Sequence, residues 1–166
     1  YKFEDVSGVK TLSFDPTAPG YRLMTKTEWL YLISNGQSSK PMSEFPWEGS
    51  LADIPRGVGN LGGRELAKSS LNYLKTYADG FENLSPAASF RPTSLGIFDL
   101  VGNAKEWLHN SSVQSDQYFG RDYATGHLIA GSSFSTWRER ELRTRNFVSK
   151  TIGAKDVGFR VARSLR

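Results

Sequence analysis

Hydrophobic positions in the first third of the chain fall into one helical stripe. Trp29, Leu32 and Ile33 recur at three-to-four spacing, the period that sets side chains on one face of an α-helix. Thr25 stands three residues ahead of Glu28, which makes a capping box: the hydroxyl accepts from an early backbone N–H and the carboxylate reaches back to the cap's own N–H. A helix is therefore predicted to open at Thr25, to pack Trp29 in the core, and to stop at Asn35-Gly36, where glycine tolerates the left-handed backbone that ends a helix. A weaker stripe of Ala67, Leu71, Leu74 and Ala78 predicts an additional helix within 65–78. Asn103 can cap a short third helix, with Glu106 close to its positive end.

After residue 126 the period changes. The runs 127–130, 142–148 and 157–163 show two-residue alternation or β-branched content between glycine and serine punctuation, and predict strands. No Gly-rich phosphate loop, internal repeat or low-complexity tract is present, which argues against a doubly wound sheet. The expected class is α+β, with few short helices and much irregular loop.

Composition narrows the function more than the fold. The chain has 166 residues, 38% of them hydrophobic, enough for one domain that buries roughly 68–70% of its unfolded surface. No apolar run approaches the ~18 residues of a membrane helix, so no membrane span is expected. The chain begins at Tyr1 with no charged-then-apolar leader, so any targeting signal is expected to lie outside this sequence. Cysteine is absent, which excludes disulfides, thiolate metal sites and cysteine nucleophiles without fixing a compartment. Net charge is +4, and residues 132–166 hold nine Arg or Lys against three acidic residues. That basic end suits an anionic partner, or else the run Arg138-Glu139-Arg140-Glu141 is a solvated strand or loop face. No nucleic-acid-binding motif accompanies the charge, and no nucleic-acid partner is expected. Two sequons, at Asn83 and Asn110, mark surface loops at most.

Four segments in order carry a family resemblance. Residues 21–29, Tyr-Arg-Leu-Met-Thr-Lys-Thr-Glu-Trp, are similar to R-L-P-T-E-x-E-W, and Phe45-Pro46-Trp47 to Y-P-W-G. Residues 95–107 resemble G-L-Y-D-M-V-G-N-V-W-E-W, the most specific of the four. Ala130-Gly131-Ser132, then Arg143 to Arg145, then Gly158-Phe159-Arg160-Val161-Ala162-Arg163 resemble R-G-G-S, an arginine-rich strand and G-F-R-x-A-R. Together they resemble the formylglycine-generating enzyme, or sulfatase-modifying factor, family. The resemblance implies a C-type-lectin-like fold: a small twisted antiparallel sheet wrapped by long loops. Residues 1–166 would form a single domain whose usual N-terminal part is missing or altered.

The resemblance also implies sites. One family calcium site would fall on Asn60 and Asp79 side chains with the backbone carbonyls of Leu61 and Phe81, a donor set that a hard cation wants; Asp79-Gly80 is equally a turn signal. A second would use Asn103 and Glu106, whose other reading is helix cap and first-turn carboxylate. The paired cysteines of the aerobic enzymes would fall near Ser135 and Arg140, and neither can bind copper(I) as a soft thiolate does. Copper is not expected, and formylglycine generation is excluded. Iron is disfavoured, since a non-haem site usually wants two His and a carboxylate and the chain has only His109 and His127. No catalytic residue is assigned. In the relatives a groove beside the cysteines receives an extended peptide, which here points to Phe134, Ser135, Trp137, Arg138, Arg140 and Arg143 as a partner surface. Trp and Arg are good interface anchors, although Trp137 could instead pack beneath a loop.

The resulting expectation is a calcium-stabilised, non-catalytic binding or regulatory module that takes a protein, peptide or glycan partner through its C-terminal third, as part of a larger assembly in one version. A periplasmic or extracellular place is favoured over a cytoplasmic one. The alternatives are a cysteine-independent iron or cofactor oxidoreductase and a hypervariable ligand-binding receptor.

Overall fold

The computed structural model describes residues 2–6, 9–13, 19–37, 41–109, 127–150 and 153–163. The capping box forms as predicted. The Thr25 hydroxyl accepts from the Glu28 N–H at 3.2 Å while Glu28 Oε2 accepts from the Thr25 N–H at 2.9 Å, and α1 runs Lys26–Ile33 with Trp29 and Ile33 buried. Asn35 and Gly36 both take positive φ, 54° and 76°, and the Gly36 N–H closes on the Tyr31 carbonyl at 2.8 Å.

Among the described residues the strands form three small sheets. β1 (Lys2–Val6) and β2 (Val9–Ser13) pair antiparallel. β3 (Tyr21–Leu23) pairs antiparallel with the last strand, β8 (Val161–Arg163). The central sheet has four strands in the order β6-β5-β4-β7: β4 is Lys105–Trp107, β5 His127–Ala130, β6 Phe147–Lys150 and β7 Val157–Phe159. It is mixed rather than wholly antiparallel, because β4 and β7 run parallel. Residues 41–104 contain only two 3-10 turns, Leu51–Asp53 and Arg64–Lys68.

Three local expectations change. Residues 65–78 are not a helix. The Arg64 N–H donates to the Tyr77 carbonyl at 2.9 Å and the Leu74 N–H to the Gly62 carbonyl at 2.7 Å, so the segment doubles back, whereas 14 helical residues would hold its ends ~20 Å apart. Leu71 of the supposed stripe is 96% exposed. No helix starts at Asn103 either. Its φ is 61°, a left-handed conformation that Asn tolerates better than most residues, and the chain leaves it as strand β4. Residues 139–142 form a one-turn helix, α2 (Glu139–Leu142), so the run 142–148 is strand only from Phe147, and the run from Arg138 to Glu141, solvated at 138–140 as expected, is a helix entry rather than a strand or loop face.

Two apolar clusters form the core. Met24, Trp29, Leu100, Leu108 and Leu128 pack between α1 and the central sheet. Phe45, Trp47, Leu61, Leu74, Tyr77 and Leu142 gather the loops, with Phe45 stacked on Trp47 at 5.2 Å. Val101 packs against both. Among the described residues, no helix is long and apolar enough to cross a membrane.

The α1 entry makes a pH prediction. Arg22 donates to both Glu28 carboxylate oxygens, at 2.7 and 2.6 Å, and this pairing, reinforced by the Thr25 N–H and hydroxyl against the opposing effect of burial, holds the carboxyl down at about 2. Its unfolded value is about 4.3. The folded state thus binds that proton more weakly, so the stability Glu28 contributes is present above about pH 5 and is lost as pH falls toward 2. Glu28→Gln is expected to lower the thermal midpoint at pH 7 and to show a shallower loss between pH 5 and 2. Identical acid profiles for the two proteins would contradict this.

Candidate functional site

The loop cluster proposed for calcium is assembled by a backbone crossing. Asn60 and Gly102 meet in a parallel bridge, and the Asn103 N–H donates to the Asn60 carbonyl at 2.7 Å. The chains approach so closely that a Cβ on Gly102, whose φ is 77°, would lie 2.1 Å from the Asn60 carbonyl oxygen. Asp79 stands beside the crossing. Its Oδ2 accepts from the Leu61 N–H at 2.8 Å and its Oδ1 from the Phe81 N–H at 2.9 Å. The Leu61 carbonyl accepts from the Gly63 N–H at 2.7 Å, which leaves it a second lone pair.

Asn60, Leu61, Asp79 and Phe81 are therefore brought together. Two side-chain oxygens there lack a donor. Asn60 is fully buried and its Oδ1 has no partner, although its Nδ2 donates to the Asn83 carbonyl at 2.8 Å. Glu65, which the sequence did not single out, sends Oε1 to the Gly80 N–H at 2.8 Å and keeps Oε2 buried without a partner. Burial pushes the Asp79 carboxyl up, and the Glu65 charge adds to that rise against the two backbone N–H donors. Buried oxygens lacking donors are costly, and such a set suits a hard cation.

Asn103 and Glu106 are not brought together as a second site. Asn103 Oδ1 accepts from the Ser85 N–H at 3.0 Å and from Asn60 Nδ2 at 3.3 Å, so Asn103 belongs to the first cluster. Glu106, on β4, is 7% exposed. Its Oε2 accepts from the Trp29 indole N–H at 3.1 Å and its Oε1 from Arg160, at 2.9 Å from Nε and 2.7 Å from the nearer terminal nitrogen. Burial pushes the Glu106 carboxyl up despite Arg160. A carboxylate already neutralised by a guanidinium makes a poor cation ligand.

Around Ser135, one of the two expected thiol positions, the structure holds hydroxyls and a carboxylate; Arg140, the other, lines a separate groove. Ser133 is fully buried. Its hydroxyl donates to Asp156 Oδ2 at 2.9 Å, and the Ser135 hydroxyl to the same oxygen at 3.2 Å. Thr136 Oγ1 accepts from the Ser133 N–H at 2.9 Å, and Lys105 Nζ lies 3.1 Å from Glu141 and 3.5 Å from Asp156. Burial pushes the Asp156 carboxyl up, but the Ser133 hydroxyl, the Lys105 charge and the Ser135 hydroxyl together bring it below its ordinary value. An anion held that way is a poor general base at neutral pH, and these oxygens do not fit copper(I). Only Ser135 of this cluster was foreseen in the sequence.

His109 and His127 lie near each other at the end of the β4–β5 pairing, with the His127 ring edge-on to Trp107 at 6.2 Å. The Leu108 N–H donates to the Leu128 carbonyl at 2.8 Å, which continues the β4–β5 pairing and sets the two histidines opposite each other. Burial lowers the His109 imidazole, and the nearby His127 and Arg22 charges lower it further. Among the described residues no three His, Asp or Glu side chains form a metal-holding group.

The expected partner surface divides. Phe134 is 6% exposed and offers no contact face. Trp137 packs against the loop cluster, with Arg138 stacked 5.1 Å from its ring. Arg140 and Arg143 face the other way, into a groove of about 550 Å³ shared with Arg145, Asn146, Phe147 and residues 41–44. Of the two sequons, Asn83 is exposed and Asn110 lies outside the described residues.

A small mixed sheet, one capped helix carrying a buried Trp, and a loop-rich body with no thiol at its centre define a C-type-lectin-like domain of the formylglycine-generating-enzyme type. The chain belongs to the sulfatase-modifying factor enzyme 1-like domain family, whose model matches residues 4–165. Formylglycine-generating enzyme of Mus musculus is 31% identical over 156 residues, 88% of this chain and 40% of the enzyme. Inactive C-alpha-formylglycine-generating enzyme 2 of Bos taurus is 26% identical over 150 residues, 86% of this chain and 44% of that protein. The crystal structure of CarF matches with a TM-score of 0.58 and 27% identity, over 92% of this chain and 50% of CarF. The chain thus spans about half the length of these relatives or less.

The Glu106–Arg160 pair gives a direct test. Arg160→Met leaves a buried carboxylate unpaired and is expected to cost about 3–5 kcal/mol near neutral pH. The loss should shrink as pH falls through the carboxylate range, because a protonated Glu106 needs no counter-charge. Equal losses at pH 4 and pH 8, measured by denaturant unfolding, would show that Arg160 acts through packing alone.

Proposed function

We propose that this chain is a non-catalytic binding or regulatory module of the sulfatase-modifying-factor fold, with loops pinned by calcium and a partner contacted through the C-terminal third. The observation that carries the non-catalytic reading is that the chain has no cysteine and that Ser135, where the resemblance puts one of the two thiols, is hydrogen-bonded with Ser133 to Asp156. The family includes a member named as inactive in cattle, so loss of the activity has a precedent. Calcium would take the buried acceptors Asn60 Oδ1 and Asp79, helped by the carbonyls of Leu61 and Phe81. Its chemistry there is structural: it gives these oxygens a positive partner and joins loops that have little regular structure. The partner would be a protein, peptide or glycan, met on the arginine side of the domain.

A second reading, an iron or cofactor oxidoreductase, is favoured by one feature, the facing pair His109 and His127. It lacks a third ligand among the described residues. Oxygen uptake above background by protein supplied with iron(II) or copper(I) and a thiol-bearing peptide would overturn the non-catalytic reading.

Calcium at ~100 times its Kd stabilises by about 2.7 kcal/mol, or roughly 5–10 °C in a domain of this size. A chelator is therefore expected to lower the thermal midpoint by that order, and Asp79→Ala to abolish the response. A midpoint indifferent to chelator in the unmutated protein would remove calcium from the account.

A further inference from the structure

We infer that the groove between residues 41–44 and 140–147 binds an acidic peptide segment; this names the partner chemistry of the module proposed above and rests on that reading. Its volume of about 550 Å³ lies within the ~300–1,000 Å³ usual for binding clefts. The lining carries the guanidiniums of Arg140, Arg143 and Arg145 and the carboxylate of Glu44, with Arg143 already paired to Glu44 and Glu139. Arg140 is exposed and makes no ion pair among the described residues. Forked guanidiniums pair with carboxylates two bonds at a time, so neighbouring arginines select acidic side chains on a partner. Met42 and Phe147 give the same groove an apolar surface, which suits a peptide with an apolar residue among its acids rather than a bare anion.

The walls are already held in place. The Thr144 N–H donates to the Glu44 carbonyl at 2.8 Å, joining the two sides by backbone. Arg143 bridges Glu44 at 3.0 Å and Glu139 at 2.9 Å. Asn146 Nδ2 donates to the carbonyls of Gly131 and Glu141, both at 3.2 Å, which fixes the turn between Arg145 and Phe147. A groove ordered before binding loses less entropy when it is filled.

The test uses three fluorescein-labelled heptapeptides, each with a central phenylalanine flanked by glutamates, glutamines or lysines, titrated by fluorescence polarisation with the full chain. The glutamate peptide is expected to bind most tightly, more weakly as salt rises. Arg140→Ala with Arg145→Ala should weaken it about tenfold or more, as loss of two charge-assisted contacts does, with a thermal midpoint shifted by no more than about 2 °C. Arg140→Glu alone serves as the second variant if the double one is unstable, and should weaken the glutamate peptide while sparing the glutamine one. Equal binding of the glutamine or lysine peptide would overturn the acidic assignment and leave the module reading standing. A single-stranded oligothymidine that binds as tightly, with the same arginine dependence, would assign the groove to polyanions in general and overturn the peptide. No binding by any of the three overturns the groove, whereas the calcium response and the oxygen-uptake assay still decide the module reading separately.

Discussion

The structure is organised around one buried carboxylate. Glu106 lies on an inner strand of the central sheet, and its two oxygens tie that strand to α1 through the Trp29 indole and to the β7–β8 junction through Arg160. Arg160 also donates to the Phe98 carbonyl at 2.9 Å and so fastens the loop that leads into β4. A carboxylate buried to this degree would be severely destabilising alone. Each partner is thereby fixed in place, because displacing any of them exposes the charge to an apolar interior. The sheet, the helix and the closing strands are thus positioned by one polar contact as much as by the apolar cluster around it.

The loop-rich half depends on a different constraint. With two short 3-10 turns between residues 41 and 104, its backbone polar groups have no ladder to join, and buried groups must be paired by other means. The crossing at Asn60 and Gly102 supplies part of this, as do single side chains that serve several strands of loop. Asp79 satisfies two N–H groups and Asn103 joins Ser85 to Asn60. Tyr77 donates its hydroxyl to the Gly59 carbonyl at 2.5 Å. The unpartnered oxygens of Asn60, Glu65, Ser85 and Asp99 are where this scheme is incomplete within the protein.

Much of this was legible in the residues wherever local chemistry acts over three or four positions. The Thr25–Glu28 box, the Asn35-Gly36 stop and the strand 127–130 needed no tertiary information. The stripe at 67–78 misled because of Ala67, Leu71, Leu74 and Ala78 only Leu74 is buried, by long-range contacts, while the other three face water. Asn103 misled for a related reason: a good cap residue is also one that tolerates the left-handed turn which a backbone crossing requires. Glu65 carried no signal, since nothing local shows that a turn folds its carboxylate back onto Gly80. The β1–β2 pair was missed although Ser7-Gly8, a turn dipeptide, separates its two runs. The placing of His109 opposite His127 follows from strand register, which the intervening sequence does not disclose.

The proposed reading turns on hydroxyl and carboxylate chemistry at Ser135 in place of a thiol, and on a structural hard cation as the metal. Elemental analysis of protein purified without added metal or chelator, after exhaustive dialysis, tests this most directly. Calcium bound in stoichiometric amount, with neither copper nor iron, is the predicted result. Stoichiometric iron or copper would contradict it and move the chemistry to His109 and His127.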